Sequence, residues 1–270
     1  MLRIAALISG SGTNLAAILE ACQDRRIDGE VVIVGSDNPE AAGLKKAGAR
    51  SIDTFVVDYR PIIEAVHSDP LQVQTPPDFQ IKAAIARQRL FRSSAAPGKM
   101  KRFLVSRAIA EVQLLAHLKG AEPDLLVLAG FMRTLSPYFI DRFSPDPKHP
   151  KIMNIHPALL PAFPGTDGYG DTWRYGCKLA GCTVHFIDYG EDTGPIIGQR
   201  CFAIAEDDSP ASLRQKGLQL EWELYPACIQ LFAEGRLRIE ELVHRRPSGG
   251  SYRRKRVRIL PKGGPQPAAG

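Results

Sequence analysis

Asn154 and His156 stand two residues apart in Asn154-Ile155-His156-Pro157, so in an extended segment both side chains leave the same face. An amide donor beside an imidazole can hold an oxyanion and manage a proton. A lone histidine after a buried strand also serves as a packing residue, and these two positions alone fit either role. Three more polar loops follow apolar runs. Gly10-Ser11-Gly12-Thr13-Asn14 sets backbone N–H groups, a hydroxyl and an amide at the start of a helix, which suits a phosphate. Its spacing is neither G-x-G-x-x-G, since Leu15 stands where the third glycine belongs, nor a Walker loop, and an ordinary strand-to-helix turn fits it equally. Ala129-Gly130-Phe131-Met132-Arg133-Thr134-Leu135 places one cation among large apolar side chains, suited to a flat ligand bearing carboxylates or, equally, to a turn with its arginine in solvent. Asp188, Glu191 and Asp192 form the fourth loop, near His185, where Asx turns and solvated charge explain the cluster as well.

Chemistry spread over four loops needs a frame that gathers them, and the apolar pattern supplies one. Short apolar runs at 4–8, 31–34 (stopping at Gly35), 55–57, 125–128, 151–155 and 183–187 alternate with helical periodicity. The pattern predicts an α/β, Rossmann-like fold with a mainly parallel sheet flanked by helices. Leu15, Ile18, Leu19 and Cys22 mark the first helix, with Thr13 or Asn14 as its cap. Residues 41–49 suggest a short one. The last long helix opens with Ser209 as cap and Pro210 in its first turn, carries a stripe of Leu213, Gly217, Leu220, Leu224, Ala227 and Leu231, and closes at Gly235. In an open α/β sheet ligands collect beyond the carboxyl ends of the strands, where these loops fall.

With 270 residues, 44% of them apolar, the chain can bury a large core, and no window approaches the ~18 to 20 apolar residues of a membrane helix. The opening residues read as a buried strand of a cytoplasmic protein. Five cysteines, Cys22, Cys177, Cys182, Cys201 and Cys228, show no paired C-x-x-C spacing, so neither a disulfide framework nor a metal site is expected. The net charge of +6 is local: residues 245–270 hold eight cations and no acid, leaving 27 basic against 29 acidic residues before them. One catalytic domain over 1–243 is expected, with a basic, flexible tail over 244–270. Residues 60–102, with eight basic and three acidic residues around Thr75-Pro76-Pro77, read as an insertion holding one helix near 81–91.

Taken in this order, the four loops resemble the folate-dependent glycinamide ribonucleotide formyltransferases of purine synthesis. The likeness rests on Gly10 to Asn14, Leu128 to Arg133, Asn154 through Gly165, and Val184-His185-Phe186 through Asp192-Thr193-Gly194-Pro195, and runs from about Arg3 to about Ile239. It implies transfer of a formyl group from 10-formyltetrahydrofolate, as co-substrate, to the amine of glycinamide ribonucleotide, with no metal. Asn154 and His156 would meet the oxyanion and Asp192 would support the imidazole. Gly12, Thr13 and Asn14 would bind the substrate phosphate and Glu221 the glycinamide amine. Met132, Arg133, Thr134 and Leu135, together with Asn154 and Arg107, would hold the folate. The resemblance suits a cytoplasmic monomer or homodimer without a membrane partner.

The insertion stands just before Arg107, and the arginine-rich tail lies beyond the family's usual end. Methionyl-tRNA formyltransferases and formyltetrahydrofolate deformylases share the Asn-x-His segment. The former carry Arg-Gly in place of Pro164-Gly165 and a C-terminal domain, for which about thirty residues are too few. The latter carry an N-terminal regulatory domain, whereas the first strand here begins near residue 3. A nucleic-acid-binding module working through the basic tail is the reading from another class, with weak, salt-sensitive affinity.

Overall fold

The computed structural model describes residues 1–69, 73–91 and 96–263; the rest of the expected insertion and tail, at 70–72, 92–95 and 264–270, lies outside the described residues. The chain begins β1(Leu2–Ile8), α1(Thr13–Gln23), β2(Gly29–Ser36), α2(Ala42–Gly48), β3(Asp53–Val56), α3(Tyr59–Ser68), α4(Ile81–Arg87) and α5(Pro97–Ala121). It continues β4(Leu125–Leu128), α6(Pro137–Phe143), β5(Ile152–His156), α7(Gly168–Arg174), β6(Leu179–Phe186), β7(Ile196–Ala203), α8(Pro210–Ala233), β8(Leu237–Arg245) and β9(Ser251–Ile259). One sheet has the order β3-β2-β1-β4-β5-β6-β7. Its first five strands are parallel; β6 runs against them and pairs antiparallel with both β5 and β7, and the mainly parallel sheet flanked by helices is the expected one.

Residues 4–8 of β1 are buried on both faces, as a central parallel strand requires. Ile4, Ala6 and Ile8 pack with α1 and α8, while Ala5 and Leu7 pack with Leu114 of α5 and Phe139 of α6. The Tyr225 hydroxyl donates to the carbonyls of Met153 at 2.8 Å and Leu128 at 3.2 Å, pinning α8 across β4 and β5. These contacts fix the carboxyl ends of β1, β4 and β5, and the strand order reverses direction between β1 and β4.

Several local expectations change. The cap of α1 is Gly12, not Thr13 or Asn14, which lie inside the first turn. Gly12 has φ +64°, and a Cβ there would come within 2.7 Å of Gly43 Cα, so this turn takes glycine for both conformation and space. β2 runs on through Gly35, whose missing side chain leaves room for the Phe55 ring. The α8 cap at Ser209 is as expected and forms a capping box with Ser212, but the buried face shifts to Leu213, Gly217, Glu221, Leu224, Cys228 and Ile229, leaving Ala227 exposed.

The segment 60–102 holds two helices and the start of a third rather than one. Asp58 caps α3, accepting from the Arg60 N–H at 2.9 Å, and Pro97 opens α5. Short amphipathic helices with long charged outer faces lose their apolar signal to composition. The tail expected to be mobile instead holds β9, paired antiparallel with β8. Carboxylates of β8 meet its arginines, Glu240 opposite Arg256 at 2.9 Å and Glu241 bonded to Arg253 at 2.8 Å, while Leu237, Ile239 and Val257 pack on the main core. Composition sees only the cations of β9; cross-strand pairing supplies their partners. No helix among the described residues is long and apolar enough to cross a membrane.

Candidate active site

A cleft of about 380 Å³ opens at the carboxyl ends of β1, β4 and β5, walled on one side by α8. All four loops reach it. The Met132 N–H donates to Ser9 Oγ at 2.8 Å, which locks the loop after β4 to the loop after β1.

At the end of β5, His156 is buried and sits between two acceptors. Its Nδ1 lies 3.3 Å from Asp192 Oδ2, and its Nε2 lies 2.8 Å from the Phe163 carbonyl. Asp192 also accepts from the Gly165 N–H at 2.9 Å, and its backbone adopts φ +52°, a conformation unusual for any residue but glycine. Burial works against its charge, yet the bond to His185, the nearby His156 and the Gly165 N–H outweigh it and hold Asp192 below the usual carboxylate range. Asn154 Nδ2 stands 3.2 Å from Nε2 of the fully buried His185, which itself lies 3.6 Å from Asp192 Oδ1. Asn154, His156 and Asp192 thus meet in one cleft around His185, which the sequence reading placed near the fourth loop without giving it a role. Its contact with Asn154 emerges once β5 and β6 are paired, which sets the two residues opposite one another.

The opposite end of the cleft is set by α1 and α8. Asn14 Nδ2 donates to Glu221 Oε2 at 2.7 Å, and Tyr169 of α7 donates its hydroxyl to Glu221 Oε1 at 2.8 Å. Burial raises the Glu221 carboxyl above its usual range despite these two bonds. Tyr169 was not foreseen. The signal for it is Gly217 on the buried face of α8, where a Cβ would stand 2.0 Å from the Tyr169 ring. Thr13 and Asn14 line the cleft; Gly12 does not, and contributes the turn that presents them.

Met132, Arg133, Thr134 and Leu135 all line the cleft. Arg133 is not free in solvent: its Nε donates to Asp37 Oδ2 at 2.5 Å, and the guanidinium lies 5.4 Å from the Tyr59 ring. Arg107 does not line the cleft. It is buried on α5 behind this loop, where Nε donates to the Thr134 carbonyl at 3.0 Å and the guanidinium stacks on Tyr59 and Phe103. One turn further on, Glu111 accepts the Ser136 N–H at 2.7 Å, so α5 clamps both ends of the segment 134–136. Full burial pushes the Glu111 carboxyl up to about 7. Among the described residues no cluster of three or more His, Cys, Asp or Glu is arranged to hold a metal ion.

An amide, an imidazole and a carboxylate beside a helix N-terminus can bind an anion at one end of a cleft and stabilise an oxyanion at the other. Residues 2–229 match the formyl transferase family model. The chain is 32% identical over 230 residues to the phosphoribosylglycinamide formyltransferase of Bacillus subtilis, covering 85% of this chain and 94% of that one. It is 32% identical over 235 residues to the trifunctional purine biosynthetic protein adenosine-3 of Drosophila melanogaster, of which it spans only 14%. The crystal structure of glycinamide ribonucleotide transformylase 1 from Symbiobacterium toebii superposes with a TM-score of 0.71 at 36% identity, covering 97% of this chain and 95% of that chain. The likeness therefore reaches into the C-terminal hairpin, which the sequence reading set outside the family.

Proposed function

The chain belongs to the formyl transferase family, and from that premise we propose that it is a cytoplasmic enzyme passing the formyl group of 10-formyltetrahydrofolate to the amine of glycinamide ribonucleotide. The observation that carries this reading is the meeting of Asn154, His156 and Asp192 in the same cleft as the first turn of α1.

In the reaction the amine nitrogen forms a bond to the formyl carbon as the carbonyl opens to an oxyanion. The bond from that carbon to folate N10 then breaks, and the proton lost by the amine passes to N10. Asn154 Nδ2 and His156 Nε2 are the donors for the oxyanion, His156 exchanging the Phe163 carbonyl for it, in a buried setting where fixed dipoles act strongly. Asp192, held below the usual carboxylate range and so charged at neutral pH, orients His156 through Nδ1. Thr13 and Asn14 bind the ribonucleotide through its phosphate, with Glu221 on the amine. Met132 to Leu135 form the wall for the folate. Arg107 supports that wall through the Thr134 carbonyl rather than touching the folate itself.

Incubating the protein with both substrates tests the proposal: deformylated folate should accumulate in step with formylated ribonucleotide. Formate release without the formylated product would identify a hydrolase, and no turnover would overturn the assignment.

A further inference from the structure

The cleft is acidic before any substrate enters, with Asp167, Asp188, Glu191, Asp192 and Glu221 in its walls. Two arginines share those walls, Arg133 and Arg214. Arg133 is taken up by Asp37, whereas Arg214 makes no hydrogen bond or ion pair with any described residue. Arg214 is exposed at the cleft wall, so its guanidinium is open to an anion that arrives from solvent.

Position along α8 says which end of the cleft it serves. Arg214, Leu218 and Glu221 follow the i, i+4, i+7 spacing of one helix face, and all three line the cleft. Two turns of helix, ~10 Å of axial rise, separate Arg214 from Glu221. Glu221 is in turn bonded to Asn14 in the first turn of α1. The charge of Arg214 acts on Asp167, Tyr169 and Glu221, the groups around that junction. A second mark of a ligand lies in the same place: Asn14 Oδ1 is buried with no hydrogen-bond partner, although native buried polar atoms nearly always have one.

We propose that Arg214 determines specificity for a phosphorylated substrate: its guanidinium pairs with a phosphate monoester seated on Ser11, Thr13 and the start of α1. Asn14 Oδ1 accepts a hydrogen bond from an O–H or N–H of the same molecule. The inference rests on the ribonucleotide reading above and names the residue that supplies its countercharge. A guanidinium suits this place because its planar fork binds a phosphate through two parallel bonds.

Steady-state kinetics with Arg214→Ala and Arg214→Lys test it. Arg214→Ala raises KM for glycinamide ribonucleotide by roughly 30-fold, lowers kcat by less than about threefold and leaves KM for the formyl donor unchanged. Arg214→Lys recovers part of the loss, since a point charge remains. Glycinamide riboside, which lacks the phosphate, is used equally poorly by the wild type and Arg214→Ala. An unchanged KM for the ribonucleotide, or an equal loss with the riboside, overturns the proposal.

Calorimetry with ribose 5-phosphate reads the same contact without formyl transfer, and Arg214→Ala binds it about tenfold more weakly or worse. If the wild type turns over no ribonucleotide yet this difference persists, the substrate reading fails while the phosphate contact stands. Equal binding by both forms, or binding by neither, removes Arg214 from the site.

Discussion

Asn14 Nδ2 donates to Glu221 Oε2 at 2.7 Å, a bond across 207 residues that ties the first turn of α1 to the middle of α8. It is buried and charge-assisted, and Tyr169 holds the other carboxylate oxygen. The same bond braces the molecule and shapes the end of the cleft assigned to the ribonucleotide. Changes here should therefore register in both stability and substrate affinity.

Asn14→Ala leaves the buried Glu221 carboxylate short of a donor. The expected cost is about 1–3 kcal/mol of stability, together with a KM for glycinamide ribonucleotide raised roughly tenfold or more and an unchanged KM for the formyl donor. Thermal unfolding and steady-state kinetics on one preparation check both parts. A normal ribonucleotide KM would mean that the phosphate lies elsewhere.

Asp192→Asn removes the charge 3.3 Å from His156 Nδ1 while keeping the side-chain shape. Turnover should fall by about a hundredfold or more, because His156 loses the carboxylate that orients its ring. Binding of the ribonucleotide, measured by calorimetry, should stay within about threefold of wild type, since Asp192 lies at the other end of the cleft. Wild-type turnover would remove Asp192 from the mechanism.

Glu111 gives a pH dependence with a definite sign. Its carboxyl is raised by full burial from 4.5 to about 7, so the folded protein holds this proton more tightly than the unfolded chain. The resulting stability is fully present below pH 4.5 and is lost as pH rises through about 7. Its size is on the order of 3 kcal/mol. Glu111→Gln keeps an uncharged acceptor for Ser136 and should abolish this part of the decline. Unfolding midpoints of both forms across that window give the comparison, and parallel curves would contradict it.

Deleting residues 246–270 removes β9 and uncovers Leu237 and Ile239, which pack with Val257 against the core. A stability loss of about 1–3 kcal/mol is expected from the exposed apolar area, with formyl transfer kept within about threefold, because the hairpin supplies none of the proposed catalytic groups. Any salt-sensitive affinity for nucleic acid should vanish with it. Abolished turnover in a folded truncation would show that the hairpin belongs to the enzyme's working parts.

Alternating apolar runs and helical periodicity were enough to give the α/β class, because a parallel strand buried on both faces has to be continuously apolar, as Ile4 to Ile8 are. Loop chemistry was readable for the same local reason: Asn154 and His156 share a face through the two-residue period of a strand, and Thr13 and Asn14 follow a glycine turn. What joins distant segments was not readable. His185 reaches Asn154 only through β5–β6 pairing, and Tyr169 reaches Glu221 only through the space at Gly217. The resemblance alone suggested a role for Arg107, and only the packing of α5 shows its guanidinium bonded to the Thr134 carbonyl behind the wall. The cations of β9 suggested a mobile tail until cross-strand Glu240 and Glu241 met them. Residue types and short spacings set which chemistry the chain can perform, because they act through local geometry. Which groups face one another was decided by tertiary packing, since partners far apart in sequence are chosen by the burial of shared surfaces.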